Sequence, residues 1–155
     1  MCKKIDRFEG KYEFLSNFYV LEHPITIWLK GQGYDFYHTE GAFQASKCDN
    51  IEDIDRFLGL RPGQTKRLGR NVKLRSDWEN VKIDVMTQVV RQKFECNPEL
   101  LQRLLDTAPA KLEEGNNHGD QVWGTVDGVG TNYLGKVLMK IRDEFQAARE
   151  AKDGE

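Results

Sequence analysis

The sequence lacks any long apolar run, and it carries little net charge. No apolar stretch approaches the roughly 20 residues that a membrane-spanning helix needs, and no signal-peptide pattern opens the chain. The formal charge of −2 over 155 residues excludes a strongly basic surface. We therefore expect no membrane partner, and any nucleic-acid partner must be held by a local patch rather than by overall charge.

Cysteine and histidine are also scarce. The three cysteines, Cys2, Cys48 and Cys96, are odd in number and widely spaced, and no C-x-x-C occurs. This pattern is typical of reduced thiols and predicts a cytoplasmic protein. The three histidines have no spacing of the H-x-x-x-H kind, so the sequence predicts neither a metal site nor another cofactor.

What remains is the composition of a globular protein, with 39% apolar and 31% charged residues. A chain of 155 residues is long enough to bury a hydrophobic core. We therefore expect a single domain over residues 1–155, with a core at about 8–148 and a frayed tail at 149–155.

The pattern of apolar residues predicts a mainly α (α+β) fold with a small N-terminal β-hairpin. The segment ITIWLKGQGYDFYHT alternates like a hairpin that turns at Gly31–Gly33. Thr39 is then expected to cap a helix that runs to about Asp49, and a short helix is expected over Glu52–Leu60.

The second half of the sequence predicts three further helices. Ser76 and Glu79 have the spacing of a capping box at the start of the clearest one. Asn97 followed by Pro98 predicts the start of the next. The last is expected from about Asn132 to Ala148, after a long Gly-rich irregular segment of a kind that is often functional.

The segment HTEGAFQASK has the most informative polar spacing. On a helix Glu40, Gln44 and Lys47 fall at i, i+4 and i+7 and share one stripe. One interpretation is an ordinary solvated helix face. The other places Glu40 at the mouth of a pocket, where its carboxylate activates water or stabilises a developing positive charge. Lys47 then donates to an anion, or acts as an amine nucleophile if burial lowers its pKa.

Three other segments offer binding groups. In FLSNF, Asn17 is either a turn residue or a partner for a heterocycle edge, and Phe18 is either a core residue or part of the site. The Gly-rich segment holds Asp120 and Trp123, in a connector or beside a ligand. The segment from residue 61 to 78 contains a tryptophan and a cluster of cations suited to phosphate, with core packing as the default for the tryptophan; its members are Arg61, Lys66, Arg67, Arg70, Lys73, Arg75 and Trp78.

The residues alone give a ligand class and no reaction. Neither a Ser-His-Asp triad nor a Cys-His pairing can be argued from the sequence, and the glycines fit neither a Walker A pattern nor G-x-G-x-x-G. Acid–base or lysine chemistry is the enzymatic route that the residues offer. The predicted ligand is phosphorylated and carries a flat heterocycle.

Four ordered blocks of the sequence resemble the YbiA-like, or NADAR, family. They are FLSNFY, HTEGAFQASK, LGRNVKLRSDWENVKIDVM with KFECNPELLQRLLDT, and DQVWGTVDGVGTNYLGKVLMKIR. The resemblance covers about Phe8 to Phe145. The family usually has a histidine and an aromatic residue after the glutamate, where this chain has Gly41 and Ala42, which predicts a widened or reshaped pocket.

The resemblance implies a multihelical YbiA-like domain with N-glycosidase activity. Its substrate classes are ADP-ribose attached to guanine, in DNA or RNA, and ribosylamino-pyrimidine phosphates of riboflavin synthesis; we favour the first. A non-catalytic module that binds NAD or ADP-ribose is the remaining alternative. Oligomeric state is left open.

The resemblance also implies roles for individual residues. Glu40 stabilises the oxocarbenium-like centre, Lys47 forms a Schiff base with Lys82 in reserve, and Asp120 moves protons or positions the ribose. The other predicted residues contact the substrate. The two tryptophans stack on the base or form a wall of the pocket, and two arginines hold phosphate. The full set of predicted substrate contacts is Asn17, Phe18, Gln44, Arg70, Arg75, Trp78, Lys82, Trp123 and Asn132.

Overall fold

The computed structural model describes residues 3–154 of the chain. Helices dominate and the β elements are small, which confirms the predicted mainly α (α+β) fold. In chain order the elements are β1 (Lys4–Ile5), a 3-10 helix (Gly10–Leu15), β2 (Ile25–Leu29), β3 (Gln32–Phe36), α1 (Thr39–Ser46), α2 (Ile51–Asp55), α3 (Pro62–Leu68), α4 (Trp78–Cys96), α5 (Pro98–Asp106), β4 (Lys111–Leu112) and α6 (Tyr133–Asp153). Over the described range, none of these helices combines the length and the apolar character that crossing a membrane requires.

The contacts of these residues group into two compact units. Unit 1 comprises the N-terminal segment through Ser16 and the segment from Pro98 onward, and unit 2 comprises Asn17–Asn97. The single domain over residues 1–155 stays a prediction beside this grouping.

Unit 1 is built on α5 and α6 with a short parallel strand pair. β1 and β4 pair with Lys4 opposite Lys111 and Ile5 opposite Leu112. Because parallel strands need a long connection, the sequence offers no local signal for this pair, and it was not predicted. The apolar faces of the two helices and β4 form the core, with Leu104, Leu112, Leu134, Leu138 and Ile141 almost fully buried.

The last helix is longer than the sequence predicted. α6 continues through Asp153 with Gly154 as its C-cap, so the predicted end at Ala148 is wrong, and the frayed tail at 149–155 stays a prediction. The final turns are rich in strong helix formers. They are also held by side-chain hydrogen bonds, from Gln146 to Glu150 at 3.2 Å and from Arg149 to Gln102 at 2.8 Å.

Unit 2 begins with the predicted hairpin, but its turn is tighter. Leu29 pairs with Gln32, so the turn consists of Lys30 and Gly31 rather than Gly31–Gly33. Both turn residues have positive φ, 51° and 79°. A two-residue turn of this kind matches the right-handed twist of the strands, which explains why it is preferred.

α1 is the central helix of unit 2. It contacts α2, α3, α4 and both hairpin strands. Its small residues allow this close approach, since Ala42 and Ala45 have no exposed surface. At Gly41 an added Cβ would lie 2.8 Å from Phe36 and 2.9 Å from the His38 ring. The space beside Gly41 is therefore filled, which argues against a widened pocket at that position. A reshaped pocket at Gly41 and Ala42 stays a prediction.

Three other helix boundaries of unit 2 differ from prediction. The helix expected over Glu52–Leu60 ends at Asp55, because turns lead to Gly59 with φ 76°. The segment after Arg61 forms α3, with Pro62 at its first turn and the Gln64 side chain accepting from Arg61 N. α4 begins after Asp77, and the predicted capping box is absent because the Glu79 carboxylate instead pairs with Lys82.

Candidate active site

The start of α1 is fixed by His38, not by the predicted Thr39 cap. His38 Nδ1 accepts from the backbone N–H of Gly41 at 2.9 Å, and Nε2 donates to the Leu60 carbonyl at 2.8 Å. Burial lowers the pKa of His38, against a smaller opposing effect of the Leu60 hydrogen bond. A neutral ring with this tautomer satisfies both partners, so His38 orients α1 and is occupied in doing so.

Glu40 is buried at the first turn of α1, with 8% of its surface exposed. Its backbone N–H donates to the Asn17 carbonyl at 3.0 Å. Its carboxylate Oε1 accepts from Gln44 Nε2 at 2.9 Å, which is the i, i+4 contact that the sequence spacing predicts. Glu40 therefore does not belong to a solvated helix face, because a carboxylate in this setting is largely withdrawn from water.

Lys47 lies about two turns beyond Glu40, as the C-cap of α1. Burial lowers the pKa of its amine, while Cys48 and Glu40 act in the opposite direction. A lowered pKa increases the fraction of unprotonated amine, the form that attacks carbon. The neighbouring Cys48 thiol has its pKa raised to about 11, chiefly by burial, so Cys48 stays protonated at neutral pH and is not a thiolate nucleophile.

Gly69 is a site residue that sequence reasoning missed. It follows α3, and an added Cβ there would overlap Gln44 Oε1 and lie 3.1 Å from Lys47 Nζ. Among the residues that the structure describes, the buried Gln44 Oε1 has no hydrogen-bond partner. The only sequence signal is a glycine after a basic helix, so its closeness to two polar ends of α1 appears only in the fold.

We expect Gly69→Ala to lower kcat about tenfold, because the new methyl group displaces the flexible ends of Gln44 and Lys47 rather than backbone. Thermal unfolding should move by no more than a few degrees. Gly63→Ala is the matched control, since nothing lies within 4 Å of an added Cβ there. Equal kinetics for both variants would contradict the placement of Gly69.

The segment before β2 adds one buried amide and one exposed ring. Asn17 is 8% exposed, and its Nδ2 lies 3.6 Å from Met86 Sδ, while its Oδ1 has no hydrogen-bond partner among residues 3–154. Phe18 is 41% exposed, with Lys66 Nζ 5.9 Å from its ring centre. The prediction that Phe18 pins this turn from the core is therefore wrong, because its side chain is partly exposed.

The cationic cluster divides into engaged and accessible members. Arg75 donates from Nε and Nη2 to the Asp77 carboxylate at 2.6 and 2.9 Å. Lys82 pairs with Glu79 at 2.7 Å. Arg70, by contrast, is exposed on the turn after α3, and its side chain has no hydrogen bond or ion pair within residues 3–154. Arg70 is therefore better placed than Arg75 to hold phosphate, and both roles stay predictions.

Trp78 packs in the interior, as its helical spacing alone favours. It is 6% exposed, and its ring centre lies 5.1 Å from that of Phe43, tilted by 53°. A base would need an open ring face to stack on. The contacts thus favour a core role over the stacking role that the family resemblance implies.

We expect Trp78→Phe to lower the free energy of unfolding by about 1–2 kcal/mol, because it removes buried ring atoms but keeps an aromatic contact with Phe43. Turnover should stay within about threefold of the unchanged protein. Urea unfolding and steady-state kinetics check both parts. A tenfold loss of kcat with unchanged stability would instead support stacking on substrate.

Unit 1 holds the three remaining predicted residues. Asp120 Oδ1 accepts from the backbone N–H groups of Val122 and Trp123, so its carboxylate shapes the Gly-rich segment. Trp123 is half-buried, with its ring centre 5.9 Å from that of Tyr133. Asn132 accepts from Glu114 N and donates to the Leu112 carbonyl, which commits its amide to the backbone. Their contact with substrate stays a prediction.

Two cavities of unit 2 open near the end of α1. They measure about 440 and 340 Å³, and Ser46 and Arg75 line both. Glu40 lines neither. Within residues 3–154, no three His, Cys, Asp or Glu side chains are arranged to hold a metal ion. Cys48 and Cys96 are free thiols, and Cys2 lies outside the described residues.

Known proteins are similar to this chain in sequence and in fold. The chain is 36% identical over 142 residues to a riboflavin biosynthesis protein of Vibrio vulnificus (strain YJ016), which covers 89% of this chain and 37% of the relative. It is 40% identical over 123 residues to the N-glycosidase YbiA of Shigella boydii serotype 4 (strain Sb227), covering 76% and 75% of the two chains. The chain thus spans little more than a third of the Vibrio protein.

A solved structure is similar to this chain in fold. The NMR structure of the Escherichia coli protein YbiA superposes with a TM-score of 0.78 at 33% identity, covering 96% of this chain and 89% of the other. A model of the NADAR domain matches residues 5–146. These matches confirm the predicted family. The chain belongs to the NADAR domain family.

Proposed function

We propose that this chain is an N-glycosidase that hydrolyses the bond between a ribose C1′ and a nitrogen of its base. One observation carries the proposal: Glu40 is buried and hydrogen-bonded to Gln44, and both Gln44 and Lys47 are half-buried on the same stripe of α1. Glu40 Oε1 accepts from Gln44 at 2.9 Å, and the next member, Lys47, has a lowered pKa. The relative named N-glycosidase YbiA supports the same reaction.

The chemistry follows from what α1 presents. Breaking the C1′–N bond builds positive charge on the sugar, and a carboxylate in a site of low polarity stabilises that charge strongly. In the proposed sequence the base leaves with the bonding electrons and takes up a proton. The free amine of Lys47 attacks C1′ and loses a proton, which forms a glycosylamine. O4′ then takes up the remaining N–H proton as the ribose ring opens to a Schiff base, and water hydrolyses this Schiff base, which releases the sugar as an aldehyde and restores the amine.

The binding groups suit a flat base and a phosphate arm. The accessible Phe18 ring with Lys66 near it offers a face for stacking. The exposed Arg70 supplies a cation for phosphate, and Asn17 Oδ1, which has no hydrogen-bond partner among residues 3–154, supplies an acceptor for a base edge. Phe18 thus takes the stacking role for which the buried Trp78 is poorly placed.

For the substrate we propose ADP-ribose attached to guanine in DNA or RNA. It combines a flat base, a ribose and two phosphates, which matches the groups available in unit 2. The second candidate is a ribosylamino-pyrimidine phosphate, which the name of the Vibrio relative favours. We place the protein in the cytoplasm, since its described cysteines are free thiols.

A side-by-side assay tests the proposal. The protein is incubated with a guanine-ADP-ribosylated oligonucleotide and, separately, with the ribosylamino-pyrimidine phosphate, and released sugar phosphates are measured by mass spectrometry. We expect release of ADP-ribose from the oligonucleotide. Release from the pyrimidine alone would select the second candidate, and ADP-ribose binding without turnover would reduce the protein to a binding module.

A further inference from the structure

Unit 1 contains a cavity of its own that the proposed reaction does not use. It measures about 500 Å³, within the range of roughly 300–1,000 Å³ that small-molecule sites occupy. The 3-10 helix, α5 and the segment 107–110 form its walls. Its lining combines apolar side chains and Tyr12 with three cations, Lys3, Lys11 and Arg103, against one carboxylate, Asp106.

Arg103 is held in place before any ligand arrives. Its Nη2 donates to the Lys11 carbonyl at 2.8 Å, and its guanidinium lies 4.2 Å from the centre of the Phe14 ring. A guanidinium fixed in this way loses little freedom on binding an anion, and its remaining N–H groups are fork-shaped donors for phosphate oxygens.

The cationic side of the cavity lacks carboxylate partners. Asp106 accepts from Gln102 Nε2 at 2.8 Å. None of the ion pairs recorded for residues 3–154 involves Lys3, Lys11 or Arg103. The excess positive charge at this cavity is therefore available to an anion.

A further cation lies behind the cavity wall. Arg142 is 6% exposed, and its Nη1 donates at 3.0 Å to Thr107 Oγ1, a group of the lining. Among the described residues its Nε has no hydrogen-bond partner. Burial lowers the pKa of Arg142. Because a buried and incompletely bonded guanidinium is costly, an anion in the cavity would offset part of that cost.

We propose that this cavity is a second ligand site, for a nucleotide whose phosphate meets Arg103, Lys3 and Lys11 and whose base packs on Tyr12 and the apolar wall. Phosphate-to-arginine pairing and stacking on an aromatic ring are the two interactions that such a lining provides. The ligand is either a free mononucleotide or one unit of a single strand. The inference does not depend on the proposed glycosidase reaction.

Binding measurements on the full chain distinguish these sources. AMP and an unmodified oligo-dT are titrated separately, with chemical shifts of the Ala108 and Ala110 amides as the readout of cavity occupancy. AMP binding with no stronger binding of the oligonucleotide indicates a free nucleotide. Tighter binding of the oligonucleotide, with a steep salt dependence, indicates a strand. Either result supports the site.

Variants locate the ligand. Arg103→Gln should raise the Kd of the nucleotide by about tenfold or more, because it removes a charge-assisted contact. Lys11→Gln, at an exposed position, provides a second test if Arg103→Gln folds poorly. Lys140→Gln removes an equal charge from α6 outside the cavity lining and should leave binding unchanged. Equal weakening by all three, or no shift of the cavity amides at about 1 mM of either ligand, would overturn the proposal.

Discussion

Glu40→Gln is expected to lower kcat for base release by about 10²–10⁴-fold, the range that a positioned acid, base or charge stabiliser contributes. The substitution keeps the volume of the side chain and an oxygen that can accept from Gln44 Nε2. The protein should therefore fold as before and still bind substrate. Steady-state kinetics with an ADP-ribosylated guanine oligonucleotide, together with thermal unfolding, measure both consequences.

A second glutamate provides the matched control for this result. Glu52 lies exposed on α2 of the same unit. Glu52→Gln removes the same charge without touching α1, and we expect its kcat to stay within about twofold. If the two variants lose activity equally, the effect of Glu40 is one of overall charge, and the role proposed for its carboxylate is wrong.

Lys47→Met is the second large expected loss, of at least about 100-fold in kcat, because it removes the proposed nucleophile and keeps an apolar stem. Lys47→Arg preserves the charge, but its kcat should fall by as much, because a guanidinium does not deprotonate at these pH values. Lys140 is exposed on α6, and Lys140→Met should leave turnover unchanged. Activity retained by Lys47→Arg would show that only the positive charge matters.

The pH dependence of the same reaction follows from the pKa of Lys47. The free amine attacks, so kcat should rise with pH and level off above the pKa of Lys47. Because burial lowers that pKa, the midpoint should lie below 10.5, the ordinary value for lysine. Glu40 favours the protonated amine, so Glu40→Gln should lower the pKa of Lys47 further, which NMR of ¹³C-methylated lysine can measure.

The parts of the site that sequence could predict are those set by local spacing. Glu40, Gln44 and Lys47 recur at helical intervals, and the structure places Glu40 and Gln44 in the i, i+4 contact that this spacing implies. Burial of Glu40 depends on the packing of α3 and α4 against α1. Those contacts join residues far apart in the sequence, so periodicity alone left open a solvated face.

Pairing within the loops was also beyond sequence reasoning. A count of cations made Arg75 a phosphate ligand, yet Asp77, two residues later, binds its guanidinium through two hydrogen bonds. The side-chain amide of Asn132 and the carboxylate of Asp120 are likewise hydrogen-bonded to backbone groups. Short polar side chains in irregular segments often bond locally, and their spacing does not reveal it.

Reduction of the reaction mixture with borohydride, followed by peptide mapping, locates C1′ of the sugar relative to α1. The proposal predicts a stable adduct on Lys47 during turnover, and none in Lys47→Arg. Two other lysines are the sharpest alternatives, Lys82 paired with Glu79, and Lys93, which is 1% exposed with a pKa lowered to about 7 by burial. An adduct on either of them, or turnover that proceeds with no adduct at all, would contradict the assignment of Lys47.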